Sequence, residues 1–398
     1  MFELTEERLT ELGANITTRE IEQQPKLWLE VLENYEKNRE KIDEFLRNIA
    51  KKHERIRIIF TGAGTSAFVG ETVKPYLMDK MDETKWELTA TPTTDILSNP
   101  AAFLRKNVPT LLVSFARSGN SPESVATVSL AKQLVDDLYQ LTITCAESGK
   151  LALNAAGDAK NLLLLQPTLS NDKGFAMTSS FTCMTLSTLL LFDNISMKEK
   201  RQIVDVIHQM AKAVMEKVDE IEAILAPDFS RVVYLGSGSL AALTREASLK
   251  ILELTAGKVA TLFDSSLGFR HGPKSFVDDE TLIFVFTSND VYTQQYDLDI
   301  LNEIQGDGIA KNVYSITTNT EGRFKGNKII YPEIGTTVPD GYLTLPYIVF
   351  GQMVSVLAAI KVNNTPDTPS ATGTVNRVVQ GVVIHEFKQQ DEFEEKVM

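Results

Sequence analysis

Two apolar runs of the same design divide this chain. Ile56-Arg57-Ile58-Ile59-Phe60 leads into Thr61-Gly62-Ala63-Gly64-Thr65-Ser66-Ala67, and Val232-Val233-Tyr234-Leu235 leads into Gly236-Ser237-Gly238-Ser239-Leu240-Ala241. Each predicts a buried strand, a glycine turn and a helix that opens on hydroxyl residues. Further apolar runs in the first half predict strands at Thr110–Phe115, Leu141–Cys145 and Leu162–Gln166, with helices near Ser66–Met78, Ser121–Leu134 and Thr178–Phe192. The second half repeats the plan, with strands at Arg231–Leu235, Leu282–Thr287, Val313–Thr317 and Lys328–Tyr331. Its helices run from Ser239 to Ala256 and from Leu343 to Ile360. Such alternation predicts parallel sheets with helices on both faces. The chain therefore reads as α/β. Two tandem doubly wound lobes, residues 53–197 and 226–362, are joined by a charged linker helix at 198–225.

Residues 1–52 read as a helical extension. Thr17 and Glu20 have the spacing of a capping box. The stripe Trp28, Val31, Leu32, Tyr35, Ile42, Phe45, Leu46, Ile49 has to be buried, against the first lobe or, alternatively, against another subunit. Residues 363–398 begin with a run rich in Pro, Thr and Ser, which predicts an extended tail over the surface.

Composition narrows the function. At 398 residues the chain suits two lobes with extensions, and a net charge of -13 with pI near 5.0 disfavours nucleic acid as a partner. Cys145 and Cys183 lack metal-type spacing and read as reduced thiols. The start Met1-Phe2-Glu3-Leu4-Thr5-Glu6-Glu7 has no basic flank or apolar run of a signal peptide, and Leu186–Phe192 is too short to span a bilayer. The expectation is a soluble, cytoplasmic protein with no membrane partner.

The glycine turns permit close approach of an anion to a helix N-terminus. Gly62-x-Gly64-x-x-Ala67 and Gly236-x-Gly238-x-x-Ala241 also fit a loose dinucleotide fingerprint. That reading wants an acidic residue about 20 positions on, and Asp95 sits too far along, so a nicotinamide enzyme is the runner-up. More specific is Ala116-Arg117-Ser118-Gly119-Asn120-Ser121-Pro122, which follows a strand and opens a helix. With Thr65 and Ser66 from the neighbouring turn, it predicts a phosphate cradle to which Arg117 adds a charge-assisted contact. The matching strand in the second half ends in Ser288-Asn289-Asp290, where an added carboxylate repels phosphate. The second lobe instead offers Glu246, Lys250 and Glu253 at helical spacing, the first two reading as a solvated ion pair. His271, held among Gly268, Gly272 and Pro273, is a candidate acid–base group.

At these residues the chain resembles a known family. Ser118-Gly119-x-Ser121, the helix ending at Glu253 and Arg270-His271-Gly272-Pro273 are similar to the isomerase half of glucosamine-6-phosphate synthase, a tandem sugar isomerase (SIS) domain protein. Gly174-Phe175-Ala176-Met177-Thr178-Ser179-Ser180-Phe181-Thr182 and Thr372-Gly373-Thr374-Val375-Asn376-Arg377-Val378-Val379-Gln380-Gly381-Val382 resemble the AgaS group of galactosamine-6-phosphate deaminases and tagatose-6-phosphate ketose/aldose isomerases. The resemblance implies that Glu253 moves a proton between sugar C1 and C2. It implies that His271 opens the ring in the partner's site of a homodimer or higher homo-oligomer. Ser66, Ser118 and Ser121 would bind phosphate, with Arg117 replacing a neutral side chain; Gly64, Thr65, Gly119 and Arg377 would also contact substrate, and the backbone near Phe175 and Ala176 would line the sugar. No metal or other cofactor is implied. Two departures stand out: no glutaminase domain precedes the lobes, and Asn376-Arg377-Val378-Val379 occupies the stretch where the synthase carries a Schiff-base lysine. Without an ammonia source, deamination is the expected direction. Simple ketose/aldose isomerisation and a phosphosugar-sensing module are the alternatives.

Overall fold

The computed structural model describes residues 4–319, 322–379 and 381–388. Met1–Glu3, Gln380 of the AgaS-like run and the end of the predicted tail lie outside the described residues. The first sheet contains β1 (Ile56–Thr61), β2 (Trp86–Ala90), β3 (Thr110–Ala116), β4 (Leu138–Thr144) and β5 (Asn161–Leu165), all parallel, in the order β2-β1-β3-β4-β5. The second contains β6 (Arg231–Gly236), β7 (Ala260–Ser265), β8 (Thr281–Phe286), β9 (Asn312–Thr317) and β10 (Asn327–Ile330), in the order β10-β9-β8-β6-β7. Read from its other edge, the second sheet repeats the first. In both, strand order reverses beside the opening strand, β1 next to β3 and β6 next to β8. Such a switch point opens a crevice at the carboxyl ends of the strands.

Strands β2 and β7 and the helix Val291–Asp307 are absent from the sequence reading. Both strands are sheet edges. β2 is half-buried throughout, and β7 carries Asp264 and Ser265 and leaves Phe263 exposed. Neither shows the unbroken apolar run that marks a strand covered on both faces.

One hydrophobic core joins the lobes, from Phe60 and Phe115 of the first sheet to Phe284 and Phe286 of the second. Helices Thr65–Lys80, Ser179–Phe192, Ser239–Leu254 and Asp340–Lys361 form the layer between the sheets. The last of these has the length and mean hydropathy (1.8) of a membrane span, but 94% of its apolar window is buried inside the protein. It, rather than Leu186–Phe192, is the most lipid-like stretch, because it fills the middle of the core.

The N-terminal helix Gln24–Lys52 buries Trp28, Val31, Tyr35, Ile42 and Ile49 against Ser179–Phe192 and the helix Met197–Met215. Each such side chain contributes roughly 1.5–3 kcal/mol. The predicted linker is two helices, Met197–Met215 and Val218–Leu225. The first buries Ile203, Ile207, Met210 and Val214, so it is a core element as well as a connection. The capping box does not form. Thr17 and Glu20 lie inside the helix Asn15–Glu22, and their side chains reach Asp367 and the backbone of residues 173–174.

Candidate active site

The switch point of the first lobe is built by two turns. Gly64, at φ 57° and ψ -132°, occupies a conformation that L side chains rarely adopt, and the helix Thr65–Lys80 starts directly after it. A Cβ on Gly62 would lie 2.6 Å from the Ser66 backbone, so glycine lets strand and helix pack closely. After β3, Gly119 at φ 66° turns the chain into the helix Pro122–Leu134. Ser121 stands at that helix's N-cap position without a capping bond from its side chain, which leaves its hydroxyl for a ligand.

These turns enclose a cavity of about 190 Å³. Gly64, Thr65, Ser66, Ser118, Gly119 and Ser121 line one side; Phe175, Met177, Arg377 and Glu253 line the other. Clefts of about 490 and 520 Å³ lie elsewhere, beside Tyr35 and beside Asn289. The lining singles out the smaller one. Hydroxyls and helix N-terminal N–H groups converge there, facing a carboxylate.

Glu253 comes from the other lobe. The helix Ser239–Leu254 packs on Thr65–Lys80, which brings Lys250 to the cradle. Lys250 Nζ donates to Glu253 Oε2 at 2.6 Å and to Thr65 Oγ1 at 3.1 Å, and lies 3.3 Å from Glu246 Oε1. The expected solvated pair is a buried one, since Glu246 and Lys250 are 0% and 1% exposed. Burial pushes Glu246 up to about 7 against the pull of Lys250. Burial also lowers the ammonium of Lys250, but the two carboxylates outweigh it and the net shift is upward. Lys250 thus stays charged and fixes the Glu253 carboxylate against the first lobe.

Arg117 lines the cavity, but its terminal nitrogens are engaged. Nη1 donates to the carbonyls of Gly174 (3.3 Å) and Phe175 (3.1 Å), and Nη2 to that of Arg377 (2.8 Å). Arg377 in turn donates through Nε to the Asp172 carbonyl at 3.0 Å and through Nη2 to Asn171 Oδ1 at 3.3 Å. The arginines tie the tail to the loop before Ser179, and Val375, Asn376 and Val379 complete the cavity mouth. Ala176 is buried in the core and does not line the cavity; Met177 faces it instead. His271 is exposed and outside it.

Sequence reasoning missed Lys250, Met177 and Ser124 as lining or bridging groups. Lys250 had a signal: with Leu243, Ala247 and Leu254 it forms an apolar stripe at spacings of four, three and four residues, so its side chain had to point inward. Among the described residues, no group of three or more His, Cys, Asp or Glu is placed to hold a metal ion. Cys145 and Cys183 are free and buried.

Two like lobes with a switch point in each, and a hydroxyl cradle in the first, define a class of sugar-phosphate-type α/β proteins, and the SIS domain model matches residues 51–193. The chain is 44% identical to the D-galactosamine-6-phosphate deaminase AgaS of Escherichia coli, over 94% of this chain and 96% of that one. It is 43% identical to the enzyme of the same name from Shewanella sp. (strain ANA-3), over 96% and 95%. The crystal structure of tagatose-6-phosphate ketose/aldose isomerase from Escherichia coli matches with TM-score 0.84 and 40% identity, covering 94% of this chain and 97% of the other. The chain belongs to the AgaS family of SIS-domain proteins.

Proposed function

We propose that this protein converts galactosamine 6-phosphate into tagatose 6-phosphate and ammonia in the cytoplasm. The observation that carries the reading is the meeting of cradle and carboxylate. Ser66, Ser118 and Ser121 share a cavity with Glu253, in a chain 44% identical to a D-galactosamine-6-phosphate deaminase. The phosphate, far from the reacting carbons, supplies binding energy that holds C1 and C2 against the base. In the open-chain sugar, Glu253 takes the proton from C2 while O1 of the C1 carbonyl takes one from solvent, which gives an enol. It then returns the proton to C1, which leaves a C2 imine. Water adds to that imine, ammonia departs, and the ketose remains. The hydrogen moves as a proton throughout.

Lys250 positions Glu253 by donating to its Oε2, which turns the carboxylate toward the cradle as a base requires. His271 assists ring opening in a second copy's cavity. Its exposure supports that role, as do Leu252, on the helix that carries Glu253, and Leu267, at the turn before His271, which are 46% and 50% exposed. Mixing inactive His271→Ala and Glu253→Gln chains should restore activity in hybrid dimers; no recovery after verified exchange would place the site within one chain.

A second reading, isomerisation without deamination, has in its favour the 40% identity to the tagatose-6-phosphate ketose/aldose isomerase of Escherichia coli. Incubation with galactosamine 6-phosphate and, separately, glucosamine 6-phosphate, assayed for free ammonia, decides between them. Ammonia from the galacto sugar is expected. None from either, with tagatose 6-phosphate converted to an aldose, would select the isomerase.

A further inference from the structure

The wall of the cavity opposite the cradle is held by a carboxylate from the N-terminal extension. Glu20, on the helix Asn15–Glu22, is 7% exposed. Its Oε1 accepts the N–H of Lys173 at 2.5 Å and that of Gly174 at 3.2 Å, and Oε2 lies 3.2 Å from the same Gly174 N–H. A Cβ on Gly174 would sit 2.9 Å from Glu20 Oε2, so glycine is what lets the backbone come this close.

The rest of the segment is held as completely. Arg117 takes the Gly174 and Phe175 carbonyls, and Arg377 the Asp172 carbonyl. Asp172, fully buried, receives the N–H groups of Thr178, Ser179 and Ser180 and the hydroxyls of Thr178 and Ser180. Phe175 and Met177, between these anchors, face the cavity.

We propose that Glu20 is a positioning residue for the sugar-phosphate reaction: its carboxylate fixes the Lys173–Gly174 backbone and so sets the Phe175–Met177 wall against the bound sugar. The inference rests on the reading of this cavity as the substrate site. Asp172 and Arg117 face Glu20 from the loop and from the turn after β3. Arg377 stands behind the Asp172 carbonyl, Lys173 belongs to the held loop, and Asp367 grips the preceding turn through Thr17 Oγ1. Arg19 and Glu22 belong to Glu20's own helix. Burial first, then Asp172, raises Glu20 to about 7, against the pull of the two N–H donors and Arg117. The ionised form accepts both N–H groups. A proton on Glu20 weakens that grip, so the wall loosens as pH falls through neutrality.

The test compares wild type with Glu20→Gln, both full-length, by KM and kcat for galactosamine 6-phosphate between pH 6 and pH 8.5. The substrate's own titration is common to both enzymes and divides out of their ratio. At the alkaline end Glu20→Gln should raise KM about tenfold, roughly the loss of one hydrogen bond, with a smaller change in kcat. The KM ratio should shrink toward one at the acid end, where wild-type Glu20 is protonated. A ratio that does not vary with pH, or an unchanged KM at pH 8.5, overturns the proposal. If Glu20→Gln fails to fold, Gly174→Ala tests the contact from the other side. It should raise KM, and Glu20→Asp in the same chain should relieve part of the rise; simple additivity overturns the proposal. A wild type that releases no ammonia overturns the assigned reaction instead. The role of Glu20 is then read from tagatose 6-phosphate affinity, with the same pH-dependent ratio expected.

Discussion

The two switch points share a backbone and differ in what fills them. Gly64 and Gly238 have nearly the same conformation, φ 57° and ψ -132° against φ 56° and ψ -126°, each just before a helix. In the first lobe Ala63 follows Gly62, and the crevice is open. In the second, Ser237 takes the place of Ala63, and its hydroxyl donates to Asp297 Oδ1 at 2.6 Å. Ser266 Oγ donates to the same oxygen at 2.5 Å and Ser288 N–H to Oδ2 at 2.9 Å. Asp340 accepts the Ser288 hydroxyl at 2.5 Å. The second lobe thus holds an internal carboxylate where the first leaves room for a phosphate. The turn is a device of the fold; whether it takes up an anion depends on the side chains delivered to it. The carboxylate expected to repel phosphate there was Asp290; the crevice is instead filled by Asp297 and Asp340, while Asp290 caps the helix Val291–Asp307. What the second lobe contributes is the far end of its first helix, with Lys250 and Glu253.

The comparison breaks hardest at that contribution. Glu253→Gln keeps the size of the side chain and removes the proposed base, so kcat should fall by about 10²–10⁴ with KM little changed. Release of ammonia at the wild-type rate would show that the second lobe does not supply the base. Lys250→Met leaves two carboxylates without their cation and should destabilise the fold by about 3–5 kcal/mol, read from denaturant midpoints. An unchanged midpoint would mean that the buried pair is not ionised.

In the first lobe, Ser118→Ala should raise KM by the worth of a hydrogen bond to a charged group, about 1.5–3 kcal/mol, with kcat retained. Arg117→Ala should raise KM too, by freeing the loop at Gly174 and Phe175. Wild-type kinetics in both variants would move the phosphate elsewhere.

Asp297→Ala, in the second lobe, should cost about 1–3 kcal/mol by leaving buried donors unpaired, while KM stays at its wild-type value. A raised KM would mean that the second crevice takes part in binding. The smallest effect is in pH. Burial raises the Asp297 carboxyl to about 6. The folded protein therefore favours its proton, and the stability this gives is complete below the ordinary Asp range and is lost as pH rises through about 6. Asp297→Asn cannot lose that contribution, so its melting temperature should gain on wild type between pH 4 and pH 7. A constant difference would show that Asp297 does not titrate there.

Much of this comparison was legible in the sequence, because glycine turns leave local marks. Gly62, Gly64, Gly236 and Gly238 marked both switch points, and Ser118-Gly119-Asn120-Ser121 marked the cradle. What stayed hidden depends on which distant surface a side chain meets. Glu20 has the spacing of a local cap, yet it serves a loop more than 150 residues away. Lys250 and Glu246 have the spacing of a surface pair, but their helix turns them toward Thr65. Strands β2 and β7 lie at sheet edges, where half-exposure erases the apolar run.

A structure with tagatose 6-phosphate bound tests the central claim most directly, that the first lobe holds the phosphate and the second supplies the base. The account predicts phosphate among Ser66, Ser118 and Ser121, with C1 and C2 of the sugar within reach of the Glu253 carboxylate and nothing bound at Ser237 and Ser266. Phosphate in the second crevice, or sugar carbons turned away from Glu253, would contradict it.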